Sequence, residues 1–225
     1  MSTPVNYWVD PKLYELGVRV EFAHISGVTV SPQSPELETW KRSIQRRLRE
    51  ADIENDPLLI AYRRLLAAVG NAEAVASPEY LLRLIQKHGR LPRINTVVDA
   101  YNIVSAETRA VVSAHDLDRL QGTLRMVLID EPLVFEPLGP GGAESLPSGE
   151  FTIRDDVHPL CRLNCKQSRL SSVTPETRNL LLYAQGNPAL EGDALRAALD
   201  VACEAIIRFS GGRREAINEV VAGPT

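Results

Sequence analysis

The chain has 225 residues, of which 44% are hydrophobic and 24% charged, and its formal net charge is −4. That length buries a substantial core in one large domain or two small ones, and the composition is that of a folded globule rather than a disordered or fibrous chain. No run of about 18 apolar residues occurs, so a membrane-spanning helix is not expected.

The N-terminus, MSTPVNYWVDPKLYELG, lacks the basic and apolar regions of a secretory signal and reads as a loose segment. Gly17 to Val30 reads as two short strands around the Ser26-Gly27 turn, with β-branched residues and partial alternation. Ser34-Pro35-Glu36 is a helix start, and Leu37, Trp40, Ile44 and Leu48 recur as a buried stripe. A second helix follows Asp56-Pro57 and stops at Gly70. A third starts at Ser77-Pro78-Glu79 and ends at Gly89, with Tyr80, Leu81, Leu84 and Ile85 facing inward. Val97 to Asn102 also reads as helical. Beyond Gly122, strands are expected at Thr123–Ile129, Phe151–Ile153 and Leu160–Leu163, separated by the turn-rich EPLGPGGAESLPSGE. Thr174-Pro175-Glu176 predicts a helix through Tyr183. Leu195, Leu199, Ala202 and Ile206 mark a last helix, capped by Gly211-Gly212. No repeat or composition break demands two domains, which predicts a single α+β domain.

The three cysteines, Cys161, Cys165 and Cys203, are odd in number and have no second Cys or His pair beside them. Neither a disulfide framework nor a metal site is expected, and the cytoplasm is the expected compartment. Charge is unevenly distributed: between Glu36 and Arg93 there are eleven Lys or Arg against eight Asp or Glu, concentrated in WKRSIQRRLRE and KHGRLPR. A solvated helix face and a local phosphate-contacting patch both account for this.

Of four histidines, His24 lies in an apolar strand and His88 precedes a helix-ending glycine, where a cation suits the helix dipole. His158 sits in an acidic loop. His115 stands beside Asp116 and a short reach from the helix bearing Asp99 and Asn102. On a strand, His115 and Asp116 point to opposite faces. No Gly-x-Ser-x-Gly elbow, His-Glu-x-x-His or recognisable Cys-His arrangement is present. An enzyme built on this chain therefore suits a reaction needing modest help, such as water attack on an activated ester.

Two stretches carry the most information. The first, LPRINTVVDAYNIVSAETRAVVSAHDLDRL, places Asp99, Asn102, Glu107, His115 and Asp116 among apolar residues, where polar groups must be hydrogen-bonded or line a pocket. The second, CRLNCKQSRLSSVTPETRNLLL, alternates Arg162, Asn164, Lys166 and Gln167 with apolar residues before a Ser-rich turn. An amphipathic strand with its polar face in water explains that pattern equally well. In a strand, Arg162 and Asn164 share a face.

Together these stretches resemble the editing domain of the phenylalanyl-tRNA synthetase beta subunit and its freestanding relatives. The shared elements are Val-Val-Asp-x-x-Asn, here Val97 to Asn102, a His-Asp pair ahead of a Leu-x-Gly turn, and Val173-Thr174 with Thr177 and Asn179. The Gly149 to Asp156 segment also fits. The resemblance spans about Gly17 to Phe209. It implies a β-sandwich-like centre flanked by helices within residues 17–210, with residues 1–16 a loose segment and 211–225 a C-terminal tail. It also implies hydrolysis, in trans, of a mischarged aminoacyl-tRNA. A non-catalytic module binding tRNA or a synthetase is the alternative.

Asn102 stands where the family has its active-site Asn, and Asn102 and His115 are the expected catalytic pair. The family's pocket His falls at Ser113, and the synthetase glutamate that meets tyrosine falls near Arg169 and Leu170. Tyrosine is thus not expected as the misplaced amino acid. Canavanine on the arginine tRNA, the substrate of some freestanding relatives, leads instead. The expected substrate-binding residues are Asp99, Asp116, Arg162, Asn164, Gln167 and Ser168, and the expected tRNA contacts are Arg46, Arg47, Lys87, Arg90 and Arg93. The resemblance implies no cofactor and no metal. The expected partners are mischarged tRNA and a cognate synthetase, with neither DNA nor membrane.

Overall fold

The computed structural model describes residues 7–163, 165–216 and 220–222. Two four-stranded sheets face each other. In the first, β1 (Tyr7–Val9) lies parallel to both β4 (Leu124–Leu128) and β12 (Val220–Ala222), and β7 (Phe151–Arg154) pairs antiparallel with β4. The second is wholly antiparallel, in the order β11 (Arg213–Glu215), β2 (Arg19–Ser26), β10 (Asn179–Gly186), β3 (Val111–Asp116). Between them lie Tyr7, Met126, Phe151 and Ile153 from one sheet and Phe22, Leu181 and Tyr183 from the other. Two small hairpins, β5 (Leu133–Phe135) with β6 (Glu144–Leu146) and β8 (Cys161–Arg162) with β9 (Lys166–Gln167), sit beside the first sheet's connections.

The second sheet's other face is covered by α5 (Thr96–Thr108) and α6 (Gly192–Ser210). Period-two alternation drives this: Ala23, Ile25, Val112, Ala114, Leu180, Leu182 and Ala184 meet Val97, Ala100, Val104, Leu199 and Ile206. Behind α5, the helices α2 (Pro35–Leu48), α3 (Pro57–Ala68) and α4 (Ser77–His88) form a third core through Ile44, Leu59, Leu82, Ile85 and Ile103. The α+β, sandwich-centred architecture is as the sequence led one to expect.

Local chemistry sets the helix ends. Ser34 Oγ accepts from Leu37 N at 3.3 Å, Asp56 Oδ1 from Leu58 N at 3.0 Å, and Asn95 Oδ1 from Val97 N and Val98 N at 3.1 and 2.9 Å. Gly89 closes α4 with φ 72°, a left-handed conformation that favours glycine. On α4, Tyr80 is 56% exposed, and Leu82 takes the inward position expected for it.

Four expectations need correction. Residues 7–16 are not loose: β1 joins the first sheet, the short helix α1 (Pro11–Glu15) follows, and Tyr7 and Leu13 are buried. The C-terminal tail likewise contributes β11 and β12. The predicted helix at Pro175–Tyr183 is instead a single turn, closed by Thr177 N donating to Thr174 O, which leads into β10. Leu180 to Ala184 is apolar on both faces because β10 is an interior strand covered from both sides. Finally, β2 is one continuous strand rather than a hairpin around Ser26-Gly27.

Where β10 ends, Gly186 passes so close to Leu190 that an added Cβ would lie 1.9 Å from its carbonyl oxygen. Gly186→Ala is expected to destabilise the fold by about 1–3 kcal/mol through forced displacement of this backbone. Urea denaturation measures it, and an unchanged midpoint would show that the turn yields freely.

Candidate functional site

The register of β3 on β10 sets Ser113 opposite Tyr183 and His115 opposite Leu181, all facing the first sheet. Tyr183 is wholly buried, its hydroxyl accepts from Gln167 Nε2 at 3.2 Å, and Ser113 stands beside it across the strand pair. Tyr101, carried by α5, reaches Ser113 as well. A buried line of polar side chains thus runs from α5 through the edge strand β3 and the central strand β10 to the β8–β9 hairpin. His115 stacks on Tyr183, with ring centroids 5.7 Å apart and planes at 17°, and its Nδ1 lies 2.9 Å from Ser171 Oγ.

Two buried polar atoms in this cluster, His115 Nε2 and Gln167 Oε1, have no hydrogen-bond partner among the described residues. Each flanks Tyr183. Leaving such an atom unsatisfied costs about 1–3 kcal/mol, so a site with two of them is suited to a water or a ligand that supplies donors. Burial pushes His115 down to about 3, opposed only by the charge of Asp155, and pushes Tyr101 up to about 12 and Tyr183 well above its ordinary value. At neutral pH the imidazole is therefore uncharged and both phenols keep their protons. The site offers neutral donors and acceptors, not a charged acid or base.

The residues expected from sequence divide into groups. Asn102 follows Tyr101 on α5, half-buried and without a hydrogen-bond partner among the described residues. Gln167 and His115 belong to the Tyr183 cluster. Asn164 lies outside the described residues. Arg162 borders the cluster's hairpin, but its guanidinium is held bidentately by Glu150, at 2.7 and 2.6 Å, with Asn71 bonded to the same carboxylate. β8 ends at Arg162, and Leu163 turns with φ 51°. Ser168 is buried, and its Oγ accepts from Leu170 N at 3.1 Å.

Asp99 and Asp116 do not join them. Asp99 bonds Lys41 Nζ at 2.7 Å and Ile94 N at 2.9 Å, on the helical side. Asp116, on the opposite face of β3 from His115, accepts from Thr177 Oγ1 at 2.6 Å and Asp118 N at 3.2 Å. Other carboxylates of these segments are also occupied: Glu107 by Arg47, Glu150 by Arg162, Asp155 by backbone amides including Gln121 N and His158 N, and Asp156 by Arg125. No group of three or more His, Cys, Asp or Glu able to hold a metal occurs among the described residues.

Tyr101, Tyr183 and Ser171 escaped the sequence reading. Their signal was weak but present, since a tyrosine inside an apolar run needs a partner for its hydroxyl. Which partner it finds depends on strand register. The basic residues expected to meet tRNA are mostly exposed. Arg47 pairs with Glu107 and Arg93 with Glu38, whereas Arg46, Lys87 and Arg90 have no partner among the described residues. No helix among the described residues is long and apolar enough to cross a membrane.

A two-sheet α+β sandwich with a neutral polar cluster under its edge strand is the class of domain these observations define. Residues 61–217 match the B3/4 domain, and the chain belongs to that family. Its fold is similar to that of a crystal structure of an N-terminal fragment of the phenylalanyl-tRNA synthetase beta-subunit from Pyrococcus horikoshii, with a TM-score of 0.57 and 14% identity. The likeness covers 99% of this chain and 53% of that one, so the chain spans about half the length of the fragment it matches. At that identity the likeness is one of fold. Among curated proteins no match is found.

Proposed function

We propose that this protein hydrolyses the ester bond of a mischarged aminoacyl-tRNA in trans, in the cytoplasm, with canavanyl-tRNA for arginine as the lead substrate. The observation that carries this reading is the pair of unpartnered buried atoms flanking Tyr183, in a chain of the B3/4 family. An ester carbonyl and an attacking water together bring the donors and acceptors that such a site lacks.

In this mechanism the chain positions and does not deprotonate. His115, neutral and with Nδ1 directed at Ser171, presents Nε2 as an acceptor that holds the attacking water. An imidazole held near 3 is a poor proton acceptor at pH 7. The water's oxygen bonds to the ester carbon, its proton is relayed through the neighbouring terminal ribose hydroxyl to the departing ribose oxygen as the ester C–O bond breaks, and free amino acid and uncharged tRNA leave. Asn102 orients the water or the ester from α5. Gln167 Oε1 accepts from the amino acid's side chain, and Arg162, fixed by Glu150, holds the hairpin that carries Gln167. With the neighbouring carboxylates engaged elsewhere, a guanidinium-like group is read by this neutral acceptor, and canavanine's oxygen takes a hydrogen bond from a tyrosine hydroxyl. Arginine's methylene leaves that donor unpaired, a penalty of about 1–3 kcal/mol.

The complete enclosure of His115 favours a second reading, a module that binds tRNA or a synthetase without hydrolysis. Timed deacylation of canavanyl-, arginyl- and tyrosyl-tRNA separates the two. Loss of canavanine with arginine spared supports the deacylase, equal or faster loss of the others removes the substrate assignment, and no hydrolysis at all leaves the binding module. Asn102→Ala is expected to slow deacylation about tenfold while leaving the unfolding midpoint nearly unchanged. Full activity in that variant would exclude Asn102 from the reaction.

A further inference from the structure

We propose that the cleft between α2 and the Arg90–Arg93 segment binds the phosphodiester backbone of an RNA strand, with Arg42 and Arg90 as its phosphate donors and Arg46, one turn further along α2, extending the row beyond it. This rests on the reading above that the partner is tRNA, and it assigns where the body of that RNA lies. The cleft has a volume of about 610 Å³.

Its walls are tied together. Gln45, buried on α2, accepts from Leu91 N at 3.0 Å, and Arg49 donates to Gly89 O at 3.2 Å. Its one carboxylate, Glu38, is already engaged by Lys41 Nζ at 2.9 Å and Arg93 Nε at 3.2 Å, and these cations hold its carboxyl below the usual range. Glu38 therefore does not neutralise the remaining arginines. Among the described residues, Arg42 hydrogen-bonds the Glu38 carbonyl and Thr39 Oγ1, at 3.3 and 3.2 Å, and no carboxylate. Arg46 and Arg90 are exposed with no partner among the described residues.

Many exposed arginines elsewhere pair with carboxylates, as with Arg83 and Glu79 or Arg208 and Glu36, whereas Arg49 and Arg178 bond only backbone carbonyls and Arg64 has no partner among the described residues. Arg42 and Arg90 on the walls of a braced cleft, with Arg46 next to them along α2, are left without a carboxylate and call for an anion from outside. Guanidinium forks match phosphate oxygens. Arg42 and Arg46 stand one helical turn apart, about 6 Å along the axis, with Arg90 on the opposite wall. A row of that kind suits successive phosphates of a strand better than a single convergent anion.

The experiment measures binding of uncharged tRNA by fluorescence anisotropy across a salt series, for the wild-type chain and for Arg42→Gln/Arg90→Gln. All the altered residues are exposed, and circular dichroism checks that the fold is kept. Affinity at low salt is expected to fall about tenfold or more. The slope of log affinity against log salt should shrink by roughly 0.7–0.9 for each phosphate no longer neutralised. Arg196→Gln/Arg213→Gln, on exposed arginines outside the cleft, should leave both unchanged.

Equal affinity and slope for wild type and the cleft variant would overturn the proposal, as would inorganic phosphate at low millimolar concentration displacing tRNA, which marks a small-anion site. Because the RNA carries no amino acid, the result is independent of hydrolysis. Binding lost in the variant without any deacylation in the wild type upholds the cleft and removes the enzyme. Deacylation with undiminished binding in the variant does the reverse.

Discussion

Replacing Lys41 by Met is expected to destabilise the protein by about 3–5 kcal/mol, the usual cost of stranding one partner of a buried ion pair. Lys41 is 1% exposed and Asp99 4%, and their side chains meet at 2.7 Å. Asp99 also receives Ile94 N, so it pins the entry of α5, the helix that carries Tyr101 and Asn102, to α2. Burial already raises the Asp99 carboxyl above its usual range against the pull of Lys41. Without Lys41 it has less reason to ionise, and the variant's deficit should narrow as the pH is lowered and the carboxyl protonates. Adding Asp99→Asn should recover much of the loss at pH 7, since the amide keeps an oxygen for Ile94 N and carries no charge. Urea unfolding of the wild type and the two variants at pH 7 and pH 5 decides it. A Lys41→Met deficit under about 1 kcal/mol, or one that does not change with pH, would mean that water reaches Asp99.

The second large effect is acid destabilisation through His115. Its ordinary value is 6.5 and the folded value about 3, with desolvation as the leading cause. Between those values the unfolded chain binds a proton that the folded chain refuses. The stabilisation is thus fully present above about pH 6.5 and is lost as the pH falls toward 3, at up to about 1.4 kcal/mol per pH unit. From pH 6.5 to 4.5 the loss is about 2–3 kcal/mol. His24, the cross-strand neighbour of Leu181 on the other side, is lowered by burial too, against the charges of Glu215 and Asp118, and contributes in the same direction. In His115→Gln the acid limb should be shallower by the His115 share, while the carboxylate contributions common to both proteins cancel in the difference. Parallel stability profiles for wild type and variant between pH 6.5 and 4.5 would show that His115 titrates normally and is reached by solvent. That outcome would also remove the argument that it holds water without deprotonating it.

Much of the helical half was legible because its signals are local. Ser34-Pro35, Asp56-Pro57 and Gly89 act through the few residues around them, and helical spacing marked the faces of α2 and α6. The β10 region was misread for the same reason. Thr174-Pro175-Glu176 is a genuine turn signal, but whether Leu180 to Ala184 continues as helix or strand depends on neighbours more than 60 residues away. The buried charge of Lys41 was hidden on a helix face otherwise read as polar, because only α5 supplies the Asp99 that makes it tolerable there.

The candidate site divides along the same line. From the sequence alone came the two informative segments, the family they resemble, and the single α+β domain. Composition and motif order are properties of the chain and survive without its fold. Tertiary structure alone decided that Asp99 and Asp116 leave the cluster, that Arg162 is held by Glu150, and that Tyr101, Ser113, Tyr183 and Gln167 join across four elements. Those outcomes hang on strand register and on competition among polar groups for buried partners. A one-residue shift of β3 on β10 would turn His115 to the other face and bring Asp116 to the site in its place.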